Sequence, residues 1–585
     1  MRAVLNRSWL WAAALALASA AGPAAVAAPL DLVAQGERIY RLGEGSDGHP
    51  LRAEYGSGTR ASGAAMACIA CHRGSGLGGI EGEVSIPPIT GRALFGTGDP
   101  VVVRYDLRIG AKLSAPHAAY DEAAFARIIR AGRDPAGREL NALMPRYALG
   151  ERELRAVAAY LKTLSVSASP GVDTDTIHVA TVIAPGVAPA RREAFLATLN
   201  AFVSQANLSV RPGQRQKLSM IERRAGQRRK WSLEVWELSG PANGWQAQLE
   251  AHQQSQPAFV LLSGLADGEW QPVQDFCERH RVGCWFPSVD ILPRAAERGR
   301  YALYFSGGVG TDAAVVAHAL RGAAGRVLQV VGADVRAREG VAALRVALGS
   351  AGRQLTEVAA SDVAGLATAL AAISEDDAVV LWLTPEELER LPVAAPAAHV
   401  YLSGVLAGAE AVAVPHAWRM NATMAQQLER PSLRVANTER FRAWLSGMHI
   451  ALVDLKMQSE VYFAARFLLE TSHTMLQNTQ ADYLIERGET MLAPFETMLV
   501  RDEVQATMMS PMNKRPAGAA SAPPDPAAAS AARAHLDEML MRGGTTVYPR
   551  LSLASGQRVA AKGGYLEKLD ADGAGIVGEP EWVVP

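Results

Sequence analysis

Cys68-Ile69-Ala70-Cys71-His72 is the stretch around which the first part of this chain must be built. Two thiols with two residues between them suit a redox dithiol, half of a zinc site or covalent attachment of a haem. A histidine directly after the second thiol favours the haem. The thiols would add across the two vinyl groups of the macrocycle, and His72 stands where its ring can ligate the iron. Arg73-Gly74-Ser75-Gly76-Leu77-Gly78-Gly79 follows, a glycine-rich run that lets the backbone turn tightly beside a flat ring. In Ile86-Pro87-Pro88-Ile89 a proline carbonyl could accept the Nδ1 proton of His72, the bond that orients a ligating imidazole.

A second axial ligand is sought downstream. Met144-Pro145 lies between two amphipathic stretches, Asp121 to Ala131 with Phe125, Ile128 and Ile129 at helical spacing, and Gly150 to Leu164 with a stripe through Leu154, Val157, Leu161 and Leu164. A thioether on the loop between them can be presented to iron. His49, His117 and Met66 are the alternatives, and His117 would make a bis-histidine site. Leu30 to Tyr40 reads as a further short amphipathic helix.

Taken together, residues 30–166 resemble a single-haem cytochrome c of the Met/His-ligated kind. The points of resemblance are Gly36 and Tyr40 on the first helix, Cys68, Cys71 and His72, Met144-Pro145, and Tyr160 on the last helix. The resemblance implies an all-α domain with one covalent haem c and His72 and Met144 as axial ligands. It also implies that the first and last helices cross, with Gly36 permitting close approach to the helix of Tyr160. The loop before Cys68 is longer than in the smallest members. With both axial positions filled by protein, the iron offers no place for substrate, and one-electron transfer is the implied role.

The amino terminus reads as an export signal over residues 1–27. Arg2 and Arg7 precede an apolar run from Trp9 to Ala20, and Ala25-Val26-Ala27 is a small-x-small cleavage site. An uncleaved anchor is the alternative. Export agrees with haem attachment, and in a Gram-negative cell it means the periplasm. The full chain has 585 residues, enough for several domains, with 58 basic and 59 acidic side chains. That balance gives no reason to expect a nucleic acid or an anionic membrane surface as partner.

The haem domain is expected to span 28–166 and a Ser/Pro/Gly linker 167–175. From 176 to 512 the pattern changes to strands alternating with helices. Runs at 177–183, 231–238, 258–262, 284–289, 301–305, 326–331, 378–383 and 399–402 read as strands, and a long helical stretch is expected from Thr438 to Leu476. Such alternation implies parallel sheets covered on both faces. In element order it resembles type I periplasmic binding proteins, the leucine-binding-protein-like receptors of ABC transporters. Their fold has two Rossmann-like α/β lobes about a ligand cleft. The carrying stretches are Thr176 to Val182 and Arg326 to Val335.

No nucleotide-binding fingerprint is present. Ser263-Gly264, Ser306-Gly307 and Ser403-Gly404 each follow an apolar strand, where serine hydroxyls could hydrogen-bond a small polar ligand. Ordinary turn chemistry explains the same pairs. Cys277 and Cys284 suggest a disulfide in an exported chain, against free thiols or a metal site completed by His280. Residues 513–534 are low-complexity and Pro/Ala-rich, and 535–585 read as a small β-rich appendage with strand signals at 547–553, 557–560, 562–566 and 582–584.

No catalytic constellation is visible. The reading is an electron carrier with a redox partner protein, by analogy with fused cytochromes a periplasmic dehydrogenase or another cytochrome. The larger domain would dock that partner or recognise a small molecule. The alternative is a haem-containing solute receptor.

Overall fold

The computed structural model describes residues 29–81, 84–96, 101–103, 112–113, 117–166, 168–208, 229–294, 296–321, 325–349, 354–493, 546–549, 551–571 and 576–585. The expected export signal and the Pro/Ala-rich segment lie outside the described residues. The chain divides into two compact units, Met1–Val101 with Ser114–Val166, and Val102–Leu113 with Ser167–Pro585.

In the first unit, α1 (Pro29–Leu42), α2 (Glu122–Ala131) and α3 (Glu151–Leu161) enclose the core. Asp121 caps α2 by accepting from the Ala124 N–H at 2.7 Å, and Gly132 ends it in a left-handed conformation. Glu153 reaches back to the Gly150 N–H at 3.0 Å to start α3. The apolar stripes then meet: Ile39, Tyr40, Phe125, Ile129, Leu154, Val157 and Tyr160 share one buried cluster.

Helices α1 and α3 cross at Gly36. A Cβ there would stand 2.0 Å from the Ala156 carbonyl oxygen and 2.8 Å from the Tyr160 Cβ. Tyr40 and Tyr160 pack beside the crossing with ring centroids 5.2 Å apart. The all-α expectation needs amending. Arg52–Glu54, Arg60–Ser62 and Arg146–Tyr147 form a small antiparallel sheet, with Arg52–Glu54 in the centre. Strands of two or three residues carry too little periodicity to announce themselves.

The second unit has two lobes with one topology. In the first, β1 (Thr176–Ile183), β2 (Lys230–Glu237), β3 (Val260–Leu262), β4 (Gly283–Trp285) and β5 (Ala302–Leu303) run parallel in the order β2-β1-β3-β4-β5. Beyond breaks at Ser263 and Phe286, both with left-handed φ (55° and 52°), Leu265–Ala266 pairs again with the end of β1 and with Ser288–Val289. The expected single strand over 284–289 is therefore broken in two.

In the second lobe, β6 (Val327–Val331), β7 (Leu355–Ala359), β8 (Ala378–Trp382), β9 (His399–Ser403) and β10 (Ala422–Gln426) repeat the order as β7-β6-β8-β9-β10. Alternate residues of β8 enter separate cores: Val379 and Leu381 on one face, Ala378, Val380 and Trp382 on the other. That is the pattern of a strand covered on both faces.

Helix α4 (Pro189–Leu208) follows β1, α5 (Val309–Leu320) opens the second lobe, and α6 (Val335–Leu348) follows β6. The expected continuous helix from Thr438 to Leu476 is two helices, Glu439–Gly447 and α7 (Leu455–Met475). His449 at φ 56° turns the chain between them, and Asp454 caps α7 by accepting from the Met457 N–H at 3.0 Å.

Two further expectations are corrected. Residues of the expected linker are bonded onto the second unit: the Ser169 N–H donates to Thr479 at 3.0 Å and the His178 N–H to Gly171 at 2.8 Å. The described C-terminal strands do dock as edge strands, but as part of the second-lobe sheet itself and not as a separate appendage. β11 (Gly564–Leu569) and β12 (Ile576–Val583) extend the second-lobe sheet antiparallel to β10. Before them, residues 558–561 run along Tyr304 and Phe305 at the edge of the first-lobe sheet. This segment is thus a third crossing between lobes, after those leading into α5 and into α7.

Candidate functional site

Cys68 caps the one-turn helix Ile69–His72, which puts His72 at its end, buried. The His72 Nδ1 lies 3.1 Å from the Pro87 carbonyl oxygen, so this nitrogen carries the proton and Nε2 has its lone pair free. Burial pushes the imidazole down to about 4, with the Pro87 carbonyl acting in the opposite sense. Gly78 makes the turn possible: its φ is +72°, and a Cβ would stand 2.1 Å from the Ile86 carbonyl oxygen. Cys68 and Cys71 are not joined to each other. Burial raises the Cys68 thiol to about 12, whereas a redox-active dithiol has a depressed one.

Met144 is half-buried and packs against the same cluster as Cys68 and Ile69. Its loop is held from both sides. The Met144 N–H donates to Asn141 at 3.0 Å, and the Tyr147 hydroxyl donates to the Met66 carbonyl at 3.0 Å, two residues before Cys68. Of the alternatives, Met66 is buried, while His49 and His117 are exposed, His117 with its Nδ1 2.8 Å from the Ala118 carbonyl. The donor set fits a covalent haem: two thiols, an oriented imidazole and a thioether against one apolar cluster.

The three strand-end serines are not equivalent. Ser263 closes β3 next to β1, the point where the strand order reverses and where doubly wound sheets bind ligands. It is 1% exposed, and its hydroxyl has no partner among the described residues. Ser306 accepts from the Gly308 N–H at 3.3 Å. Ser403, in the other lobe, donates to Asp312 at 2.7 Å. Cys277 and Cys284 are joined as a disulfide, and His280 packs on Phe276 with ring centroids 4.7 Å apart.

A part-buried charged network, with Glu460 at its buried end, has no counterpart in the sequence reading. Asp290, just past Ser288–Val289, meets the Lys456 ammonium at 3.0 Å and the Arg336 guanidinium at 3.1 Å. Glu460 accepts from Ser288 at 2.5 Å and from Tyr548 at 2.6 Å, with Lys456 at 3.2 Å. A lone aspartate inside the apolar run Val289-Asp290-Ile291 was the available signal.

These features define a c-type haem domain joined to a two-lobed parallel α/β domain. Residues 60–165 match the family model for cytochrome c. Solved structures similar to the chain include a substrate-binding periplasmic protein from Ralstonia solanacearum, with 12% identity, TM-score 0.45, covering 69% of this chain and 99% of that one. Another is the branched-chain amino acid transporter substrate-binding protein LivJ from Streptococcus pneumoniae in complex with isoleucine, with 9% identity, TM-score 0.44, covering 70% and 100%. A search of curated proteins finds no match. Among the described residues, no helix is long and apolar enough to cross a membrane.

Proposed function

We propose that this chain is an exported, periplasmic c-type cytochrome carrying one haem c, bound through Cys68 and Cys71 with His72 and Met144 as axial ligands. When bound, the haem supplies a reversible one-electron couple. The observation that carries the reading is the Pro87 carbonyl on His72 Nδ1, which sets the tautomer and leaves Nε2 for coordination. Tyr147 ties the Met144 loop to the segment before Cys68, and so presents the thioether from a fixed backbone. Residues 1–27 serve as the export signal. The partner is another redox protein, of the periplasmic dehydrogenase or cytochrome class, and the two-lobed domain docks it or recognises a small molecule.

Recognition of a solute, with the haem reporting on it, is favoured by one observation. The buried Ser263 hydroxyl stands at the strand-order reversal without a partner among the described residues.

The purified full chain should give a c-type pyridine haemochrome spectrum with one haem per chain that resists acid extraction. Its ferric form should show the weak near-infrared sulfur-to-iron band, lost in Met144→Ala. Absence of covalent haem sinks the reading, and a band that survives Met144→Ala removes Met144 as ligand. A thermal-shift screen with amino acids, alcohols and small acids tests the solute reading, with Ser263→Ala as control.

A further inference from the structure

Parallel α/β lobes present the carboxyl ends of their strands, and the helix starts beside them, to a shared crevice. Two-lobed proteins of this build close by hinge motion, and closure needs something that binds the closed arrangement better than the open one. A solute trapped between the lobes is one such agent. In this chain side chains already bridge the crevice.

Arg336 stands in the first turn of α6, in the second lobe. Two of its nitrogens are held by Asp334, at 3.0 and 2.8 Å, which aims the third at Asp290 of the first lobe, 3.1 Å away. Asp290 also takes the Lys456 ammonium from the start of α7. Lys456 in turn contacts Glu460, whose carboxylate is closed off by Ser288 and by Tyr548. Tyr548 comes from the third crossing. It is 1% exposed and stacks on Phe305 with centroids 5.7 Å apart and planes 6° from parallel. Every charge in this set has a partner of opposite sign within the chain. Beside it the lobes touch: a Cβ on Gly268 of the first lobe would lie 3.4 Å from Val335 Cγ1 at the start of α6.

We propose that the two lobes are latched shut by the chain's own side chains, Arg336 closing onto Asp290 beside the buried Tyr548–Glu460 pair, so that closure requires no solute. The inference stands on the second domain alone and is independent of how the haem is ligated.

Full-length holoprotein carrying Gly268→Cys and Val335→Cys tests it, with a short bismaleimide as probe and peptide mass spectrometry as readout. The two thiols should cross-link rapidly with no solute present, and free amino acids should not change the rate. Adding Asp290→Asn should slow cross-linking about tenfold or more, because one charge of the part-buried Arg336–Asp290 pair is lost. Arg336→Gln, at a partly exposed helix start that a folded chain tolerates, should do the same, while Arg336→Lys should restore part of the rate. Cross-linking that appears only after amino acids are added overturns the proposal. So does an unchanged rate in both Arg336→Gln and Asp290→Asn.

Discussion

The Tyr147 hydroxyl donates to the Met66 carbonyl oxygen across 81 residues of sequence, and thereby ties the Met144 loop to the segment that delivers Cys68. The bond is buried, and burial raises the phenol above its usual range, which keeps it a donor at neutral pH. Tyr147→Phe leaves the carbonyl without its partner and should cost the haem domain about 1–3 kcal/mol. The check is denaturant unfolding followed in the haem absorption. The near-infrared sulfur-to-iron band should weaken in the same variant while covalent haem content is unchanged.

Gly36 has no room for a methyl group, because the Ala156 carbonyl oxygen lies 2.0 Å from where a Cβ would stand. Gly36→Ala must push α1 away from α3 and separate Tyr40 from Tyr160. A loss of about 1–3 kcal/mol is expected, as for other overpacked contacts. A thermal melt in the haem absorption measures it, with Gly137→Ala, at an open turn, as a comparison that tests only backbone strain.

Asp312 sets a pH dependence for the second lobe. Burial raises its carboxyl to about 7, opposed by the Val405 N–H, Ser403 and Gln427. A folded pKa above the unfolded one means the folded state holds the proton longer. The contribution to stability is present below the unfolded pKa near 4 and is lost progressively as pH rises towards 7, by a few kcal/mol (order of magnitude). Unfolding at pH 5 and pH 8 should show that slope, and Asp312→Asn should flatten it. An equal slope in the variant would assign the effect elsewhere.

The Cys277–Cys284 disulfide closes a loop of seven residues' separation, joining the end of one helix to β4. Loop entropy for so short a closure is about 2–3 kcal/mol. Cys277→Ser with Cys284→Ser should destabilise the first lobe by no more than that. Thiol titration of the denatured, unreduced holoprotein should find no free thiol.

The physical basis for what could be read in advance is locality. The C-x-x-C-H spacing, the caps at Asp121 and Gly132, and the apolar stripes of α1, α2 and α3 are all interactions within one or two turns of chain. So are the buried runs Thr176–Ile183 and Ala378–Trp382, whose unbroken hydrophobicity announces a sheet covered on both faces. β7 carries no such signal, because its half-exposed residues, Leu355 to Ala359, alternate weakly. The break between Glu439–Gly447 and α7 had local signals in Gly447 and Asp454, outweighed by the helical periodicity on either side.

Covalent spacing and hydrophobic period are written locally, so a haem-attachment motif ahead of parallel α/β lobes is legible in the residues alone. Three features come from long-range folding: β11 and β12 extend the second-lobe sheet, Ser263 alone of the three serines keeps an unpartnered hydroxyl among the described residues, and Asp290 joins Arg336 and Lys456. Those partners stand 46 and 166 residues away. Electrostatic pairing and strand addition act through space, and nothing in the residues flanking Asp290 specifies which distant cation the fold will bring to it.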